Sequence, residues 1–252
     1  MLELQHVSFD VSDERDKNIG IIEDLSLVIP DRKFVVVTGP NGGGKSTLAR
    51  LIAGVEKPTA GRILFDGTDI TEMSITDRAK MGISFAFQQP VRFKGLQVLD
   101  LIRLASGNRN LSVGDACEYL SAVGLCARDY IRREVNASLS GGELKRIEIA
   151  TVLAKAPSLS VFDEPEAGID LWSFRNLIDV FQDMRRKIED SSILIISHQE
   201  RILNIADEVI VIREGQVAAQ GSREEVLPML IGTASAIPDC KKGELTEGGE
   251  EQ

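Results

Sequence analysis

Residues 38–48 read TGPNGGGKSTL, directly after the apolar run FVVV at residues 34–37. Gly39, Gly44, Lys45 and Ser46 fall on the spacing G-x-x-x-x-G-K-[ST]. The apolar run before it and the helical pattern KSTLARLIAG after it supply the strand–loop–helix setting that the spacing requires. Glycines let the backbone curl so that successive amide N–H groups point inward at an anion. A helix beginning near Lys45 turns the positive end of its dipole to the same place. The loop from Gly39 through Pro40, Asn41, Gly42 and Gly43 to Gly44 therefore reads as a phosphate cradle. In such a cradle Lys45 reaches the β- and γ-phosphates, and the hydroxyl of Ser46, with Thr47 beside it, faces Mg²⁺.

A cradle of this kind needs a carboxylate at the end of a second buried strand. LSVFDEP at residues 159–165 supplies it. Asp163 is placed to hold Mg²⁺ through its water shell, and Glu164 to align or deprotonate an attacking water. Ser160 interrupts this run, which predicts a less regular strand.

Outward from these motifs the chain alternates. LELQHVSF and LSLVIP read as strands, with the polar turn DVSDERDKN at residues 10–18 between them. GRILFDG and GISFAFQ read as strands around the short helix ITDRAKM. Residues from about 96 to 156 carry helical periodicity with breaks at Gly107, Gly114 and Gly124. Then SLSVFDE, SSILIISH, DEVIVIR and GQVAAQG return as strands, with helices from Leu171 to about Ile188 and over QERILNIA. Alternation of this kind predicts an α/β fold with a mainly parallel sheet covered on both faces. Residues 1–233 are expected to form one domain, with a helical subdomain inserted at about 96–156. Residues 234–252 are expected to be a flexible acidic tail.

The 252 residues are 43% hydrophobic with a formal net charge of −10, a composition suited to a globular core. The acidic balance excludes a nucleic-acid binder, which needs a basic face. No stretch of about 18 uninterrupted apolar residues is present, so no membrane insertion is expected. The start MLELQHVSFD lacks the basic and apolar segments of a signal peptide, and the expected location is cytoplasmic. Cys117, Cys126 and Cys240 have no metal-ligand spacing and are expected to be reduced, buried or idle thiols.

LSGGELKR, Leu139–Arg146, resembles the signature sequence of the ATP-binding cassette (ABC) ATPases. The order of glycine loop, FQ, LSGGE, FDEP and ISH is also similar to theirs, and the resemblance covers residues 1 to about 231. It implies a P-loop NTPase core with an N-terminal antiparallel β region, binding ATP with Mg²⁺. Ser140, Gly141 and Gly142 stand before a helix as a second N-terminal anion site. In the family that site faces the γ-phosphate held by the glycine loop of a second subunit, in an ATP-dependent head-to-tail homodimer. Ser140 with Glu143 three residues on also reads as a capping box, which would order the site. By the same resemblance Gln88 meets Mg²⁺ and the water, Asp170 lies in a loop that crosses the dimer interface, and His198 contacts the γ-phosphate. Family transporters carry an adenine-stacking aromatic near the first strand, where this chain has Val11. His6 reads as a sheet-edge residue.

Two groups within the family remain, and the first is the expected one. DRAKMGISFAFQQPV, REVNASLSGGELKR and SHQERIL are similar to stretches of the SufC-type ATPases of SUF iron–sulfur cluster assembly. That group implies a SufB/SufD-like scaffold protein docking near Pro90–Leu96, where Val91, Phe93 and Leu96 stand among two cations. The alternative is the nucleotide-binding subunit of a membrane transporter, to which DEVIVIREGQVAAQGSREEVL is similar. A module that senses ATP without turnover is disfavoured by the presence of both Glu164 and His198.

Overall fold

Every residue of Phe34–Thr38 is buried, as a strand covered on both faces requires. The computed structural model describes residues 1–12, 18–186 and 191–234. In chain order the strands are β1 (Leu2–Ser12), β2 (Asn18–Ile29), β3 (Phe34–Thr38), β4 (Ala60–Phe65), β5 (Thr68–Asp69), β6 (Ile83–Ala86), β7 (Leu159–Asp163), β8 (Ser192–Ile196), β9 (Glu208–Arg213) and β10 (Gln216–Ser222). The helices are α1 (Lys45–Ala53), α2 (Ile75–Lys80), α3 (Val98–Ser106), α4 (Val113–Ala122), α5 (Ala127–Tyr130), α6 (Gly141–Lys155), α7 (Leu171–Arg186), α8 (Glu200–Leu203) and α9 (Arg223–Ala234).

One sheet has the order β2-β1-β4-β5 and is antiparallel. The other has the order β10-β9-β3-β8-β7-β6 and is parallel except at the β9–β10 hairpin. Alternation along β3 divides the core in two. Val35 and Val37 pack with α1 and the first sheet, while Phe34 and Val36 pack with the helices on the other face. The chain is thus an α/β P-loop NTPase fold with an antiparallel N-terminal sheet.

A buried arginine joins the two sheets' connections. Arg78, fully buried on α2, donates to the carbonyls of Leu51 and Ile52 at the end of α1 and to those of Thr71 and Met73. It is thus a cation at the negative end of the helix that begins in the glycine loop.

Several expectations need correction. The polar turn is shorter than expected: residues 10–12 extend β1 and Asn18 begins β2, because the hairpin pairing Val11↔Ile19 and Ser12↔Asn18 continues outward. Ser160 does not disturb β7, whose register with β6 and β8 is regular and whose serine is buried. Gly114 lies inside α4, since Ser112 caps that helix one residue earlier. The helix over QERILNIA spans only Glu200–Leu203. His6 is not at a sheet edge, because β1 runs between β2 and β4; it sits at a bulge with φ 50° and pairs with Asp24 at 2.8 Å. Cys126 is exposed and Cys117 half-buried. β5 and α9 were not anticipated. Cys240 and residues 235–252 of the expected tail lie outside the described residues.

Candidate nucleotide site

The glycine loop joins β3 to α1. Gly39 has φ 137°, and a Cβ there would lie 2.0 Å from the Ile212 carbonyl oxygen. Gly44, with φ 100°, precedes α1 and offers no side-chain cap, and the first turn of α1 holds no acidic residue. The N–H groups of that turn are thus left to an external anion. Lys45 is buried, and its Nζ donates to the carbonyls of Gly39 and Pro40 at 2.9 and 2.8 Å. The loop's own backbone thereby fixes the ammonium over the cradle.

Asp163, at the end of β7, is buried and accepts a hydrogen bond from the Ser46 hydroxyl at 3.0 Å. Burial pushes its carboxyl above the usual range, and the Ser46 bond offsets this only in part. A divalent cation there would relieve that cost. Among the described residues no group of three or more His, Cys, Asp or Glu could hold a metal ion. The oxygens of Ser46 and Asp163 are the sparse set that suits magnesium completed by phosphate and water.

Glu164 follows at φ 45°, a left-handed backbone that a side chain rarely adopts. Its N–H donates to the Ile196 carbonyl at 3.0 Å, which anchors this turn to the end of β8. Its Oε2 accepts from Gln88 Nε2 at 2.6 Å. Gln88 stands two residues beyond β6, and His198 two residues beyond β8. A cavity of about 510 Å³ is lined by Asn41, Gly42, Gly44, Lys45, Ser46, Thr47, Gln88, Glu164 and His198. With Ile21 of β2, which also lines it, five separate stretches of sequence meet in one place.

Ser140, Gly141, Gly142 and Asp170 do not line that cavity. Ser140 caps α6: its hydroxyl accepts from Glu143 N–H, and Glu143 accepts in return from Ser140 N–H at 2.6 Å. The Tyr130 hydroxyl donates to the same carboxylate, which holds Glu143 below the usual range. Asp170 accepts from Ser173 N–H at 3.0 Å at the start of α7. Gly142 faces the Gly168 carbonyl and Ile169, so these two loops are neighbours.

Val11 does not line the cavity; it is exposed on β1, and Ile21 on β2 lines the cavity instead. The β1–β2 pairing that carries Ile21 to the site was hidden by the polar segment between the strands. Beyond Gln88, Val91 and Phe93 are exposed and line a smaller apolar cavity of about 170 Å³ with Phe85, Phe87 and residues of α3 and α6. Leu96 turns away from it: half-buried, its carbonyl accepts from Val135 N–H at 2.9 Å. No helix of the described residues is long and apolar enough to cross a membrane.

The family described as "ABC transporter" matches residues 22–167. The chain is 38% identical over 216 residues to an uncharacterized ABC transporter ATP-binding protein of Methanocaldococcus jannaschii, covering 83% of this chain and 86% of that protein. It is 31% identical over 210 residues to a sulfate/thiosulfate import ATP-binding protein of Bacillus cereus, covering 81% of this chain and 58% of that protein. Its fold matches a dimeric ATP-binding cassette structure in a post-hydrolysis state bound to ADP and Pi, with TM-score 0.78 at 23% identity over 88% of this chain and 99% of that one. Taken with the cradle and the carboxylates opposite it, these likenesses show that the chain belongs to the ABC transporter family, as one of its ATP-hydrolysing cassettes.

Proposed function

We propose that the protein hydrolyses ATP at two composite sites of a head-to-tail homodimer and uses the closing and opening of that dimer to move a separate partner protein. The observation that carries this reading is the split between two clusters. Lys45, Ser46, Gln88, Glu164 and His198 meet in one cavity, while Ser140, Gly141 and Gly142 at the start of α6 lie beside the Gly168–Ile169 turn outside it. A helix N-terminus with ordered donors and no phosphate of its own fits the phosphate of a second copy.

In each site the backbone of Gly39–Gly44 and Lys45 bind the phosphates, and Ser46 and Asp163 hold Mg²⁺. The metal, when bound, neutralises charge on the phosphate oxygens. Glu164 takes the proton of the attacking water, Gln88 orients Glu164, and His198 and the second copy's Ser140 donate to the γ-phosphate. Residues 96–156 act as the inserted helical subdomain that carries the second cluster. ATP as the substrate supports a cytoplasmic location for the working protein.

The relatives, import ATP-binding proteins among them, support a membrane transporter subunit as the partner, gripped at the Val91–Phe93 cavity. A second reading, a SufB/SufD-like iron–sulfur scaffold, is supported by the DRAKMGISFAFQQPV and REVNASLSGGELKR stretches. Purification from the native host under anaerobic conditions separates the two. A polytopic membrane protein in the complex supports the first, and a soluble cluster-bearing partner supports the second.

Glu164→Gln tests the catalytic reading. Phosphate release should fall by about 100-fold or more, and the protein should elute as a dimer in ATP. Turnover at the wild-type rate would remove Glu164 from its role.

A further inference from the structure

Helix α6 meets the edge of the large sheet with charged side chains as well as apolar ones. β6 is the last strand of that sheet. Lys155 Nζ donates to the Ile83 carbonyl at 3.0 Å. Nearly three turns earlier, Lys145 is completely buried; its Nζ donates to the Phe87 carbonyl and, at 3.3 Å, to the Gln88 carbonyl. Glu148, one turn on, accepts from Phe87 N–H at 3.0 Å through Oε1. Its Oε2 lies 3.2 Å from Lys145 Nζ, at ion-pair distance, and makes no hydrogen bond. The pair thus holds the N–H and C=O of Phe87 and the C=O of Gln88. The Gln88 side chain in turn holds Glu164 at 2.6 Å.

A buried ion pair is poor evidence for a stabilising role. Desolvation offsets most of its attraction, and an apolar pair of the same volume packs at least as well. What apolar side chains cannot do is fix a backbone segment by three polar contacts. The loop held here is exposed at Phe87, Gln88 and Gln89; the Phe87 ring packs edge-on to Phe85 at 4.6 Å, and its backbone depends on these polar contacts.

We propose that Lys145 and Glu148 are positioning residues for ATP hydrolysis, which clamp the Phe87–Gln88 backbone so that the Gln88 side chain meets Glu164. The proposal rests on the roles given above to Gln88 and Glu164. Glu148 also lines the partner cavity, together with Phe87 and Leu144. A segment seated there would press on the same clamp.

The test compares Lys145→Met, which removes the donors, with Lys145→Gln, which also loses the charge but keeps an N–H donor. Each is made in the wild type and in Gln88→Ala. Lys145→Met should lower kcat by about 10- to 100-fold, the cost of a misplaced catalytic group. KM and ATP affinity should stay within about twofold, because the cradle is untouched. Lys145→Gln should recover part of the rate. In the Gln88→Ala background, Lys145→Met should cost nothing further, since residues acting through one another do not add. Unchanged kcat in Lys145→Met, or equal losses in both backgrounds, would overturn the clamp while leaving Gln88 in place. A wild-type rate in Gln88→Ala alone would overturn the role of Gln88 and the clamp with it. If Lys145→Met does not fold, Glu148→Ala, which removes the acceptor of Phe87 N–H, carries the same comparison with the same two outcomes.

Discussion

Gly39 shows how little choice the backbone leaves at the cradle. Its φ of 137° and the Ile212 carbonyl 2.0 Å from the place of a Cβ both exclude any side chain. Gly39→Ala should therefore destabilise the protein by at least about 2 kcal/mol, measured by urea unfolding; a smaller loss would show that β9 yields. Glu143 offers a test by pH. Its carboxyl is held low by the Tyr130 hydroxyl first and then by Ser140, so the folded state favours the ionised form. Its contribution is fully present above the ordinary value of 4.5 and is lost as pH falls through the folded value. The deficit of Glu143→Gln, about 1 kcal/mol at neutral pH, should narrow below about pH 4.5. A gap unchanged at about pH 3.5 would show that the charge plays no part.

Among the elements, α1 is the one on which the site depends, and both of its ends are specified by single residues. Gly44 leaves its first turn open to phosphate, and Arg78 closes its last turn from 27 residues away. Arg78→Met would remove the guanidinium from four carbonyls, two of them in buried contacts, and should cost about 2–4 kcal/mol. Arg78→Lys should lose less, because one cation would remain at the helix end; equal losses would point to packing alone. The start of α1 was legible from Gly44-Lys45-Ser46, because the chemistry of a phosphate loop is local. The work of Arg78 was not, since nothing in ITDRAKM distinguishes a buried arginine from an exposed one on an amphipathic turn. The same holds for Lys145 and Glu148, which read as ordinary polar positions behind LSGG until β6 ends against them. Ile21 escaped for a related reason: hairpin register is set by pairing across a polar segment, and periodicity within one strand does not reveal it.

At the scale of the whole molecule, the order of motifs predicted which loops gather at the carboxyl ends of β3, β7 and β8, because parallel strands deliver their following loops to one end of the sheet. It did not reveal how the two clusters touch. A Cβ at Gly142 would lie 3.9 Å from the Gly168 carbonyl oxygen and 4.0 Å from Ile169, so the two are neighbours, and that turn begins four residues after Glu164 on the same chain. In a head-to-tail pair, the surface that one copy offers to its neighbour's phosphate is therefore mechanically continuous with its own hydrolytic carboxylate. Filling one site must be felt at the other through about one turn of backbone rather than through the width of the protein. ATP hydrolysis should accordingly rise with ATP concentration with a Hill coefficient above one, measured by phosphate release at constant protein concentration. A coefficient of one would mean that the contact at Gly142 is slack and the two halves keep separate time. The nearness of a single glycine to a neighbouring turn thus bears on whether the pair behaves as two clocks or as one.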